Sequence, residues 1–311
     1  MTISFRESPP MEVLPVTCLV DAKDSLGEGC CWDAGAGVVW WLDIARPSRI
    51  HRLNPATGEH RVWHSALLLT ALALRTSGGL ILGGEDGVYG FDPTTGAITP
   101  LVKPETDRPQ NRFNDGACDP QGRLWIGTMH QNIGPQGEDL PIPADTGALY
   151  RVDSKGMAQR FEDHVGVSNG PCWSPDSATF YFSDSKKGVI YAYDFEASLG
   201  VISNRRVLND SHDHGHPDGA TVDSEGFIWS ARWDGECVLR IDPKGRIDRV
   251  IAMPAQRPTC VCFGGANLDI MYVTSSRAHL STESMARYPL QGGLFCFNPG
   301  VKGTLKHHFA G

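Results

Sequence analysis

The sequence predicts an all-β fold, a six-bladed β-propeller with four antiparallel strands per blade, as one domain over residues 1–311. Three observations predict it. Six polar residues, Glu28, Thr70, Asn114, Asn169, Asp218 and Thr259, each open a strand-like run and precede by five positions the residue that starts a turn. They recur roughly 41 to 55 residues apart, the mark of one supersecondary unit used repeatedly. A second turn recurs nearly verbatim, as in LNPATG, FDPTTG and IDPKG. There Pro presets φ, Gly accepts positive φ, and Asp or Asn caps the turn through its own side chain. Finally, no stretch beyond about ten residues keeps the 3.6-residue apolar period of a helix.

The elements follow in chain order. Residues 1–15 read as an irregular N-terminal extension. The strand-like segment from Val16 to Asp21 has no blade of its own and is expected to pair with the last blade, closing the ring and covering its edges. Blade 1 opens at Glu28 and continues through VVWWLD from Val38 and RIHRL from Arg49. Blade 2 opens at Thr70, with LILGG from Leu80 and GVYGF from Gly87. Blade 3 opens at Asn114, with RLWIGT from Arg123 and ALYRV from Ala148. Blade 4 opens at Asn169, with TFYFSD from Thr179 and VIYAY from Val189. Blade 5 opens at Asp218, with FIWSAR from Phe227 and CVLRI from Cys237. Blade 6 opens at Thr259, with DIMYVTS from Asp269 and GLFCF from Gly293. The longest interval, Asn114 to Asn169, owes its excess to the Gly/Pro-rich stretch from His130 to Gly147, a lid over a site or a plain surface loop.

Composition narrows the function classes. The 35 glycines and 21 prolines suit many short strands and turns. A net charge of −8 without a basic run argues against nucleic acid or an anionic membrane as partner. No segment approaches the ~18 apolar residues of a membrane span, and the chain reads as cytoplasmic. The nine cysteines form no CxxC pair and read as small buried thiols of a reducing compartment. Cys260 and Cys262 share one strand face but lack neighbouring zinc ligands.

In a propeller the opening strand of each blade lines the central channel, so the six polar positions form a ring at one mouth. Glu28, Asn169 and Asp218 in that ring suit a hard divalent cation, Ca²⁺, Mg²⁺ or Mn²⁺; Zn²⁺ or Fe²⁺ is also compatible in a catalytic role. Turn capping is the alternative role of these side chains. Arg112 and Asn114 are two apart, on one face of an extended segment, where an arginine would hydrogen-bond substrate oxygens. Gly166 to Gly170 matches GxSxG around Ser168, but that motif needs a following helix, and Pro171 and another β-repeat follow instead. The alternating His212, His214 and His216 read as a solvated loop, with a transition-metal site on an extended segment as the alternative, and His216 lies two residues from Asp218.

LGEGCCWD, RFNDGACDPQGRLWIGTM, SNGPCWSPDSATFYFSDS, HPDGATVDSEGFIWSARW and RPTCVCFGG with MYVTS closely resemble the SMP-30/gluconolactonase/regucalcin family, in order, from about Leu26 to Ser275. The resemblance implies a six-bladed propeller with one divalent ion, Ca²⁺ first, near the axis. It implies Glu28, Asn169 and Asp218 as metal ligands and Arg112 and Asn114 as the substrate-contacting pair. Some members place an acidic substrate contact just after the GTM motif, where this chain has His130, Gln131 and Asn132; His130 is taken as a third substrate contact. The expected function is metal-dependent hydrolysis of a sugar lactone, such as gluconolactone or L-arabinonolactone, to the aldonic acid, with Asp218 as general base. A non-enzymatic calcium-binding or regulatory propeller, an esterase or phosphotriesterase using the same ion, and a serine esterase using Ser168 are the alternatives.

Overall fold

The computed structural model describes residues 9–311 and contains six small sheets. The strand next to the axis in each is Gly27–Asp33, Leu69–Leu74, Asn111–Cys118, Ser168–Trp173, His216–Val222 and Pro258–Gly264. Each contacts the next, and the sixth contacts the first, so the ring is closed. Within each blade three further antiparallel strands follow outward. The six-bladed propeller predicted above is therefore the fold.

Alternation along the strands explains how neighbouring blades adhere. In blade 1, Cys31, Val38, Trp40 and Leu42 pack against Leu72, Leu82 and Phe91 of blade 2. Their neighbours Cys30, Trp32, Val39 and Trp41 point the other way, onto Cys260, Cys262 and Tyr272 of blade 6. The other four blade interfaces are built likewise, giving six apolar clusters, one at each interface. Three buried indoles of the second strands, Trp41, Trp125 and Trp229, donate to Asp24, Asp119 and Asp223 at 2.9, 3.0 and 2.9 Å.

Thr17–Val20 pairs antiparallel with Leu294–Phe297 and becomes the outermost strand of blade 6, closing the ring as expected. The extension before it is less irregular than expected: Met11–Glu12 pairs in parallel with Ile247–Ala252 as a fifth strand on blade 5, and Glu12 ion-pairs with Arg249 at 2.7 Å. Residues 1–8 of that extension lie outside the described residues. One helix is present among the described residues, Thr282–Arg287, with Ser281 as N-cap. No described helix is long and apolar enough to cross a membrane.

The chain ends in a strap that the repeats did not announce. Gly303, His307 and Phe309 bridge to Asp223, Cys118 and Arg75 on the first strands, or the turns after them, of blades 5, 3 and 2. The strap thus crosses the channel end opposite the ring of polar residues. From it Lys306 enters the channel and donates to the Cys30 carbonyl at 2.9 Å.

Candidate metal and substrate site

Each innermost strand breaks register with its partner at or next to its ring residue. The breaks fall between Glu28 and Cys31, Leu69 and Ala71, Phe113 and Gly116, Asn169 and Cys172, Pro217 and Ala220, and Pro258 and Val261. Such bulges re-aim side chains, which is how a polar residue within a buried strand comes to face the axis. Gly29 and Gly170, at φ +63° and +58°, supply the left-handed backbone beside Glu28 and Asn169.

Glu28, Arg112, Asn114, Asn169 and Asp218 line one cavity of about 340 Å³ at this mouth. Glu28 is 7% exposed, Asn169 4% and Asp218 4%. Asn114 Nδ2 donates to Asn169 Oδ1 at 3.0 Å and to the Ser168 carbonyl at 2.8 Å. Asn169 Nδ2 donates to Ser185 Oγ at 2.8 Å, so both ends of the amide are held by residues that line the cavity. Arg112, 2% exposed, gives Nη1 to Asn114 Oδ1 at 2.6 Å and Nε and Nη2 to Asn132 Oδ1 at 3.1 and 2.8 Å.

The carboxylates are the informative part. Glu28 Oε2 accepts from Gly29 N at 3.1 Å, the Gly219 N–H approaches Asp218, and neither carboxylate has an ion-pair partner among the described residues. Burial pushes both well above the usual carboxylate range; for Glu28 the negative charges of Asp218 and Asp115 add to it, and for Asp218 that of Asp115. Asp115 was missed in the sequence, although it adjoins Asn114. Its oxygens accept from Gly116 N at 2.7 Å and Gly170 N at 2.8 Å, and burial raises it as well. Arg112 and Arg232 offset the charges of Glu28 and Asp218 only in small part, and two such buried acids beside an amide oxygen fit a hard divalent cation, which would supply further positive charge. No group of three His, Cys, Asp or Glu is gathered for a metal among the described residues, so the candidate set is two carboxylates and an amide.

His130 does not line this cavity. Met129 does, and alternation along Leu124–His130 turns the next side chain away, where His130 Nδ1 lies 3.4 Å from Thr146 Oγ1. Asn132, beyond the strand end, reaches the cavity instead and holds Arg112. It belongs to the segment between His130 and Gly147, whose Ile142 also lines the cavity; Lys186 ties that segment down through Asp145 at 2.8 Å. His216 lines the cavity and His212 and His214 do not. Its Nδ1 donates to the Ser185 carbonyl at 3.0 Å. Ser168 is wholly buried, its Oγ has no hydrogen-bond partner, and its strand runs on to Trp173 without a helix, so the GxSxG match lacks the geometry of a nucleophile elbow. Cys260 and Cys262 are packed thiols, with Cys262 Sγ 3.0 Å from Cys30 Sγ, and all nine cysteines are unbridged.

Several known proteins resemble this chain over most of its length. A 6-deoxy-6-sulfogluconolactonase of Pseudomonas putida is 37% identical over 94% of this chain and 98% of its own length. Pentonolactonase XacC of Haloferax volcanii is 34% identical over 85% of this chain and 86% of its own. The crystal structure of a calcium-binding protein, regucalcin, from Agrobacterium tumefaciens superposes with a TM-score of 0.88 at 30% identity, covering 97% of this chain and 99% of that one. The family model described as the SMP-30/gluconolactonase/LRE-like region matches residues 26–277, a span that takes in all six ring positions, and the chain belongs to that family.

Proposed function

We propose that this chain hydrolyses an aldonolactone to the aldonic acid with the help of one divalent cation, Ca²⁺ first among the candidates. The observation that carries the proposal is the pair of buried carboxylates without an ion-pair partner, Glu28 and Asp218, beside the Asn169 amide oxygen. Those three residues would hold the ion, which when bound supplies Lewis-acid polarisation of the lactone carbonyl. Two of the relatives described above carry lactonase names, and the regucalcin structure is described as calcium-binding; both support the reading.

The chain's own residues would divide the remaining work. Asp218 accepts the proton of the attacking water, whose oxygen bonds to the carbonyl carbon. The ring C–O bond then breaks and the ring oxygen takes up a proton, giving the open hydroxy acid. Arg112 and Asn114 orient the sugar hydroxyls, and Asn132 holds the Arg112 guanidinium in place through two donors to one oxygen. Asn132 and Ile142 of the 130–147 segment and the apolar walls Leu26, Met129 and Val167 shield the reacting carbonyl from bulk water. Asp218→Ala is expected to reduce turnover of a responsive lactone by about 100-fold or more. Retention of most of the activity would remove Asp218 from the role of base.

A further inference from the structure

The site cavity is amphipathic. Its polar half gathers Arg112, Asn114 and Asn132 around the three candidate ligands, and its apolar half is Leu26, Met129, Ile142, Val167 and Trp233. Trp233 differs from the other seven tryptophans. It ends the strand Ile228–Trp233, is half-buried, and lines both the site cavity and the basin that opens above it. Trp41, Trp125 and Trp229 donate their indole N–H to buried aspartates, and Trp32, Trp40 and Trp173 are buried in the blades, so Trp233 is set apart by its place at the cavity. Its partner in register is His216, which lines the same cavity.

The ring is also held on one face by a cation that lines the same basin. The Arg257 guanidinium lies 4.5 Å from the Trp233 ring centroid. That arginine is itself pinned, Nε to Asp234 Oδ1 at 2.6 Å and Nη1 to the Ala278 carbonyl, and Gln256 reaches the same aspartate at 2.8 Å. The turn after Trp233 is tight, with Asp234 at φ +57° and Gly235 N donating to the Arg232 carbonyl at 2.9 Å. A half-exposed indole in a catalytic cavity, stacked on one side and fixed at its base, is pre-organised to receive a flat partner. A sugar lactone offers one. Its hydroxyls project from the ring edge, leaving a face of C–H groups whose burial against an aromatic surface is favourable.

We propose that Trp233 is the platform for the C–H face of the lactone ring and therefore a specificity-determining residue of the site, an inference that rests on the lactonase reading above. The contact is made alike before and during reaction, so it acts on binding and not on the chemical step. Trp233→Ala is expected to raise KM for D-glucono-1,5-lactone about tenfold, equivalent to roughly 1.4 kcal/mol, with kcat within about twofold. Trp233→Phe is expected to recover most of the loss. Each variant is to be checked for unchanged divalent-ion affinity by calorimetry and unchanged melting, which a general disturbance of the site would move. An unchanged KM in Trp233→Ala, or a fall in kcat at constant KM, would overturn the platform. Failure of the unmodified protein to turn over any lactone would instead overturn the lactonase reading, and the platform with it.

Discussion

Replacing Asp218 by Asn is expected to stabilise the metal-free protein while abolishing its stabilisation by a divalent ion. The two side chains are nearly isosteric, and the Gly219 N–H that approaches Asp218 can still donate to an amide oxygen. What the change removes is one buried negative charge, 4% exposed, facing Asp115 and Glu28, with no ion-pair partner and only a smaller, opposing influence from Arg232. Relief of that desolvation and repulsion at pH 8 is worth about 1–3 kcal/mol, each tenfold rise in proton affinity corresponding to about 1.4 kcal/mol. At an unfolding entropy of ~2 cal/mol/K per residue, a chain of this length gains about 2–5 °C in Tm. The wild-type protein at an ion concentration about 1,000 times its Kd gains about 4.1 kcal/mol, and the variant gains none. The two melting curves therefore exchange order between chelator and saturating ion, as read by calorimetry or near-UV circular dichroism. A variant less stable than wild type in chelator would refute the reasoning, because Asp218 would then be a satisfied structural group.

The remaining predictions concern pH, the strap and the serine. Glu28 and Asp218 are raised, so the folded metal-free chain keeps protons that the unfolded chain loses above the ordinary carboxylate range of ~4. Metal-free stability thus falls as pH rises from there toward the raised values, and ion binding releases protons. Calorimetric titration in two buffers of different ionisation enthalpy measures that release, and none at pH 6 would contradict the burial argument. Phe309→Ala removes a side chain 3% exposed, packed with Ala71, Phe113 and Leu124, and is expected to cost about 3–5 kcal/mol, or a Tm lower by about 5–8 °C. A change below about 1 kcal/mol would mean that the strap is dispensable for holding blades 2 and 3 together. Ser168→Ala is expected to leave kcat/KM within about twofold, whereas a loss of 10²-fold or more would restore the serine-esterase alternative.

The fold was legible because its unit repeats: a ring residue, a turn five positions on and a second Asp-Pro or Asn-Pro turn occur often enough to reveal their period. The ring was legible for the same reason, and Glu28, Asn114, Asn169 and Asp218 do share one cavity. What escaped sequence reading depends on contacts between distant segments or on local register. The bulges beside the ring residues bring Asp115 in next to Asn114, a consequence no alternation pattern contains. Alternation itself, applied from Met129, would have turned His130 away, but only once Met129 was known to face the cavity. Asn132 follows the end of its strand, where periodicity says nothing. Lys306 and Phe309 reach the channel and blades 2 and 3 from a segment of no periodic character, and only tertiary pairing reveals it.

The most direct test of the central claim is hydrolysis of a panel of aldonolactones, followed by pH-stat, with metal-stripped protein before and after adding each divalent ion. Rates are compared with the spontaneous opening of each lactone. The account predicts a spontaneous-level rate without metal and recovery by a divalent cation on one or a few sugars, lost again in Asp218→Ala. Full activity in chelator, or tight ion binding with no lactone turned over, would contradict it.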